Sequence, residues 1–243
     1  LQQEITYTLS GSSADREFYM SGSYKATVEL NGLTLTNTNP VASGAAVHIQ
    51  NGKSIKVKVM DGTINTLVDN ASGSQKGAFY VKGHLEFSKS GVLNVVGNLK
   101  HAIKSGEYIE LKEATLNVTS AQGDGINCAQ YFLMKSGNVN INNVMDDGIQ
   151  CDIEDTEVGS TGETVDHEDE DSGNIYLEGG TININTPGKA AKGIKSEGDL
   201  FVKAGTINIT TTGHGKWDEE DVKTKAAACL GSDAKVVISG GTL

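Results

Sequence analysis

One phrase returns along the chain, and its spacing limits the fold more than any other feature. It consists of a glycine or small residue, threonine or an equivalent, an aliphatic, then asparagine. It reads Gly62-Thr63-Ile64-Asn65, Gly91-Val92-Leu93-Asn94, Ala114-Thr115-Leu116-Asn117 and Gly137-Asn138-Val139-Asn140, then Gly180-Thr181-Ile182-Asn183 and Gly205-Thr206-Ile207-Asn208. Gly32-Leu33-Thr34-Leu35 is an earlier variant, and Gly241-Thr242-Leu243 begins a last copy. Successive copies lie 30, 29, 23, 23, 43, 25 and 36 residues apart, which a base period near 23 with loop insertions explains. Self-similarity at such a period is the mark of a stack of repeated units.

A second phrase precedes the later copies: His101-Ala102-Ile103-Lys104-Ser105, Asp124-Gly125-Ile126-Asn127-Cys128, Asp147-Gly148-Ile149-Gln150-Cys151 and Lys192-Gly193-Ile194-Lys195-Ser196. A third short strand lies between the two, as in Tyr108–Leu111 and Asp199–Val202. Glycine is abundant at 30 residues, proline is nearly absent at 2, and Val, Ile and Thr come in short bursts. That composition reads as all-β with many turns; only Glu219–Ala228 has a helical composition. Together these features predict an all-β, right-handed parallel β-helix of about eight coils with three strands per coil, right-handed by the general preference of parallel connections. Residues 1–27 read as an irregular N-terminal cap. Residues 28–243 read as the helix, with insertions at about 152–172 and 212–225.

In that arrangement Leu93, Leu116, Val139, Ile182 and Ile207 point inward, while Asn94, Asn117, Asn140, Asn183 and Asn208 form an outward ladder, one rung per ~4.8 Å. Stacked amides are either a structural hydrogen-bonded file or a flat row facing a linear sugar polymer. Cys128 and Cys151 fall in an inward file with Ser105 and Ser196. With Cys229 they show no metal-site spacing and do not settle the compartment.

The chain has 31 carboxylates against 20 basic residues, a net charge of −11. This argues against nucleic acid or an anionic membrane as partner and leaves cations and neutral or cation-bridged ligands open. No apolar run approaches the ~20 residues of a transmembrane helix. Aligned on the second phrase, His101, Asp124, Asp147 and Lys192 occupy one position in consecutive units. Two carboxylates ~4.8 Å apart repel by roughly 3–4 kcal/mol at a surface-like dielectric. A bound cation, a raised pKa or flanking charges must relieve that repulsion. With Asp146 beside the pair and Asp152 following, Asp124, Asp146, Asp147 and Asp152 are candidate ligands for Ca²⁺, a hard cation that takes six to eight oxygens. In the alternative, His101 and Lys192 flank the acidic pair and the side chains splay into water.

Lys104, Asn127, Gln150 and Lys195 share the outward position two residues after the glycine or alanine of that phrase, and are candidate ligand-binding residues. Trp217, the only tryptophan, sits in the second insertion beside Asp218, Glu219, Glu220 and Asp221. It is a candidate platform for a pyranose, or else it folds back onto the flank. Tyr131, Tyr176, Phe79 and Phe132 read as core or sheet-face residues. The insertion Asp152–Ser172 holds ten carboxylates in Asp152–Asp171 and reads as a solvated loop. No Ser–His–Asp or Cys–His constellation stands out. A uronic-acid lyase needs a cation and a base for the C5 proton. Arg16, the sole arginine, lies in the N-terminal segment, which leaves Lys104 and Lys195, and only with lowered pKa values.

The phrases Gly123–Ile126, Asp146–Ile149, Lys192–Asp199 and Gly179–Ile184 resemble the pectate-lyase-like carbohydrate-binding β-helices of bacterial surfaces, first recognised in cellulolytic clostridia. The resemblance runs from about Val28 onward. It implies a calcium-binding, extracellular or cell-surface protein that binds cellulose-like and acidic plant polysaccharides rather than cleaving them, with Asp124, Asp146 and Asp147 in the matching turns. A calcium-dependent lyase and an adhesin-like stalk without a sugar site are the competing readings. Self-association through the open ends of the stack is a further expectation.

Overall fold

The computed structural model describes residues 4–153, 172–220 and 222–243. The acidic insertion, apart from Asp152, Ile153 and Ser172, and Asp221 therefore lie outside the described residues. Among the described residues every regular element is a strand, nearly all of them paired in parallel. Among the same residues no helix is long and apolar enough to cross a membrane.

The repeats place equivalent residues side by side. Leu93 pairs with Leu116, Leu116 with Val139, Val139 with Ile182 and Ile182 with Ile207, and all five are essentially removed from solvent. Asn94, Asn117, Asn140, Asn183 and Asn208 follow in the same register on the opposite face. From Asn117 onward each Nδ2 donates to the Oδ1 of the asparagine before it at 2.8–2.9 Å, and Asn94 Nδ2 ends the file on Thr66 Oγ1 at 3.5 Å. Phe79, Phe87 and Phe132 lie in the core, with the first two rings edge to face at 5.9 Å. The alternation of aliphatic and polar residues thus fixes both faces, because a one-residue slip would exchange them.

The first copy shows such a slip. Ile64 is 66% exposed while Asn65 is buried, and Asn65 pairs with Leu93. The buried amide is satisfied locally: its Oδ1 accepts the Leu33 N–H at 2.8 Å, and its Nδ2 donates to Val92 O at 3.2 Å and Thr63 Oγ1 at 3.1 Å.

The arrangement of sheets corrects the expected three-strand coil. A single β-helix with three separate sheets is not observed; the strands gather into two large parallel layers, of fifteen and eight strands. The cause is the eleven-residue strand Ala26–Thr36. Its first half pairs with Ile55–Val59 and its second half with Ile64–Val68, so one continuous strand fuses two rows that the repeat phrases would keep apart. Gly32, at φ +74°, lies between the two halves, in a conformation that costs glycine little.

Residues 1–27 carry two strands, Ile5–Ser13 and Phe18–Ser21, which pair with Ala26–Thr36 and Val47–Gln50. In the second insertion, Lys216–Asp218 and Lys223–Lys225 form an antiparallel hairpin. The cross-strand Lys225–Asp218 ion pair at 2.6 Å holds a segment whose composition reads as helical.

Candidate functional site: a three-carboxylate cluster at the edge of the eight-stranded sheet

The second phrase forms consecutive strands of the eight-stranded sheet: His101–Ser105, Ile126–Cys128, Ile149–Cys151 and Lys192–Ser196. Its glycines are required for close approach. A Cβ on Gly125 would lie 2.7 Å from Gly148 O, and one on Gly148 would lie 2.4 Å from Gly193 O and 2.7 Å from Ile184 Cγ2. These contacts draw the turns together and bring the residues before the glycines, Asp124 and Asp147, onto one edge.

Carboxylate oxygens of Asp124, Asp146 and Asp147 lie within 4.8 Å of one another, with Asp124 and Asp147 buried and Asp146 reaching solvent. The backbone organises the buried pair. Asp124 Oδ1 accepts the Asp147 N–H at 2.9 Å, and Asp147 Oδ1 accepts the Lys192 N–H at 2.5 Å. Asp124 Oδ2 accepts from Asn127 Nδ2 at 2.6 Å. His101 Nδ1 sits 3.1 Å from the Asp124 nitrogen and 3.2 Å from Asp124 Oδ2. A neutral imidazole accepts from the N–H there, and a protonated one donates to the carboxylate.

Burial is the main cause that pushes the Asp147 carboxyl up to about 7; the Lys192 N–H opposes it, and the charges of Asp124 and Asp146 add to it. Asp146 is also raised, first by the protein packed around it and then by Asp124, against His101, Lys192 and Lys216. Three ionised carboxylates at these separations are self-repelling. A proton relieves that repulsion, and so would a cation. The donor set is all oxygen, negatively charged and partly pre-oriented by backbone N–H groups, which fits a hard divalent ion such as Ca²⁺ completed by water.

The remaining predicted residues divide. Asp152 lies outside the triad: its Oδ2 accepts from Asn127 Nδ2 at 3.2 Å, and its other oxygen from Gln150 Nε2. Lys104, Asn127, Gln150 and Lys195 do form one file across the sheet. Lys104 Nζ donates to Asn127 Oδ1 at 2.6 Å, and Lys195 Nζ lies 3.7 Å from Asp233. Asn127 is therefore the hub, joining Lys104, Asp124 and Asp152. Trp217 is 56% exposed on the hairpin and does not fold back. Its neighbour Lys216 acts electrostatically on Asp146, which puts the base of the hairpin within range of the cluster. Cys128 and Cys151 are register neighbours, buried and unbridged; Cys229 is free and exposed. Sequence reasoning missed the two N–H donors inside the cluster, which no residue type encodes. It also missed the continuity of an outward aromatic file from His84 to Phe201.

Stacked parallel sheets, outward polar ladders and a carboxylate cluster on one edge define a repeat-built all-β protein with an acidic surface site. The chain belongs to the family described as carbohydrate-binding domain-containing protein, whose model matches residues 1–243. That membership makes carbohydrate binding its general role. No curated protein matches the sequence. A solved structure, the polysaccharide lyase-like protein from C. thermocellum as a gadolinium derivative, is similar in fold. The TM-score is 0.75 at 19% identity, covering 100% of this chain and 89% of that one.

Proposed function

We propose that the protein binds acidic polysaccharide without cleaving it, through a Ca²⁺ ion held by Asp124, Asp146 and Asp147, at the bacterial cell surface. The observation that carries this reading is the triad itself: three carboxylates within 4.8 Å, two of them buried, and one held near a neutral pKa by the others and by burial. Such a group exchanges a proton for a cation near pH 7 and leaves part of the ion's coordination for a sugar carboxylate. The exposed Trp217 ring would pack against pyranose C–H groups beside it. The two lysines that could serve a lyase as base are engaged, Lys104 with Asn127 and Lys195 with Asp233.

The test is retention on polygalacturonate with Ca²⁺ and with chelator, for the wild type and Asp147→Asn. Retention that needs both the ion and Asp147, with the polymer recovered intact, supports the proposal. Equal retention in chelator removes the cation, and appearance of unsaturated products removes the non-catalytic assignment.

A further inference from the structure

Lysine is seldom removed from water, because its ammonium gives up hydration that the interior must replace. Lys104 is such a case at 5% exposure, with Tyr80 and Asn127 as its register neighbours on the two sides. Asn127 and Asp124 are buried with it. Lys104 Nζ donates to Asn127 Oδ1 at 2.6 Å. Asn127 Nδ2 donates in turn to Asp124 Oδ2 at 2.6 Å and to Asp152 Oδ2 at 3.2 Å. An amine nitrogen therefore stands beside a carboxamide carbon, and a carboxylate stands on the nitrogen which that carbon would release.

We propose that Lys104 and Asn127 condense to a cross-strand isopeptide bond, with Asp124 as the proton carrier. Lys104 Nζ attacks Asn127 Cγ: the Nζ–Cγ bond forms and the Cγ–Nδ2 bond breaks. Two of the three ammonium protons leave Nζ and end on the departing Nδ2, which goes as ammonium. Asp124 Oδ2, already accepting from Nδ2, delivers a proton there and finishes ionised as it began. Atoms and charge balance without an oxidant or a co-reactant. A buried ammonium is exchanged for a neutral amide while its charge leaves for solvent, which removes the desolvation cost that Lys104 carries. Holding amine against amide makes a bimolecular reaction unimolecular, and burial excludes the water that would compete for the carbonyl.

Register alone does not create this arrangement. In the same row Lys195 neighbours Gln150, a second lysine beside a carboxamide. There the lysine is partly exposed with its Nζ 3.7 Å from Asp233, and Gln150 Nε2 donates to Asp152. That pair should stay unlinked and serves as an internal control. The Lys104–Asn127 bond would tie His101–Ser105 to Ile126–Cys128 at the residue that holds Asp124. Such a clasp depends on neither the cation nor the sugar.

The test is mass spectrometry of the denatured full chain, for the wild type, Lys104→Arg and Asn127→Ala. The wild type is expected to weigh one ammonia less than its sequence, and both variants their full sequence mass. A cyclised glutamine or a succinimide also loses ammonia, so a tryptic digest locates the loss. The bond blocks cleavage after Lys104 and joins the peptide His101–Lys112 to the peptide Glu113–Lys135, which contains Asn127. Recovery of that branched peptide, with cleavage after Lys195 unimpaired, supports the proposal. A wild type of full sequence mass overturns it, and so does an ammonia loss that persists in Lys104→Arg. Should the variants fail to fold, the wild-type digest decides alone: complete cleavage after Lys104 overturns the proposal.

Discussion

The Asp147 carboxyl makes a quantitative prediction about stability. Its folded-state pKa of about 7 stands above its usual 3.8. Below pH 4 the group is protonated in both folded and unfolded chains and costs nothing. As pH rises from about 4 to about 7, the unfolded chain ionises first and the folded state falls behind. Stability contributed by this group is therefore lost on raising the pH, and the loss levels off above 7. The full gap corresponds to about 4 kcal/mol, of which about 2–3 kcal/mol falls between pH 5 and pH 8. Asp146, raised in the same direction, adds to it.

Asp147→Asn removes the charge and keeps an oxygen that can accept the Lys192 N–H. Denaturant unfolding in chelator, at pH 5 and pH 8, isolates the effect, since every other titrating group is common to both proteins. The wild type is expected to lose about 2–3 kcal/mol more than the variant between those pH values. At pH 8, Ca²⁺ at about a hundred times its dissociation constant should return about 2.7 kcal/mol to the wild type and little to the variant. Parallel pH profiles would refute the electrostatic account of the cluster. Equal stabilisation of both proteins by Ca²⁺ would refute its assignment as the cation site.

Four further outcomes follow from the geometry. Asn127→Ala removes the donor to Asp124 and the acceptor for Lys104, and should weaken Ca²⁺ binding by about 10–100-fold in calorimetric titration. Gly148→Ala would place a methyl 2.4 Å from Gly193 O, and should lower stability by about 1–3 kcal/mol or more, read from the denaturation midpoint. Asn140→Ala breaks two rungs of the amide ladder and should cost about 1 kcal/mol, because those side chains are partly hydrated. Thiol titration of the native protein should label Cys229 alone, with Cys128 and Cys151 reacting only on unfolding.

What the residues disclosed beforehand, and what they hid, follows from the physics of a repeat. Pairing of Leu93 with Leu116, or Asn117 with Asn140, was legible because period-two alternation and a 23-residue spacing leave one register in which the core stays dry. The same alignment sets His101, Asp124, Asp147 and Lys192 on one edge. The fusing of two strand rows into one fifteen-stranded sheet was not legible. It depends on whether Ala26–Thr36 breaks or bends at Gly32, and a glycine permits either. The slip at Ile64 was hidden for a related reason: its phrase matches the others letter for letter, while the buried amide of Asn65 finds partners only in three dimensions. In the cluster, residue types identified the carboxylates, but the backbone N–H groups of Asp147 and Lys192 that orient them carry no sequence signature.

The repeat also explains where the site is. A stacked sheet keeps its inward positions apolar except where a polar side chain finds local partners, as Asn65, Ser105 and Ser196 do, so the charged residues gather on outward rows and at turns. At the turn position that variation brought in carboxylates, and crowding them beside the glycine-tightened strands raised the electrostatic cost of leaving the cluster without a counter-charge. Along the fifteen-stranded sheet it brought in rings instead, with adjacent ion pairs cancelling the local charge. One scaffold thereby presents two chemically different surfaces, a three-carboxylate cluster and a file of stacked rings beside ion pairs.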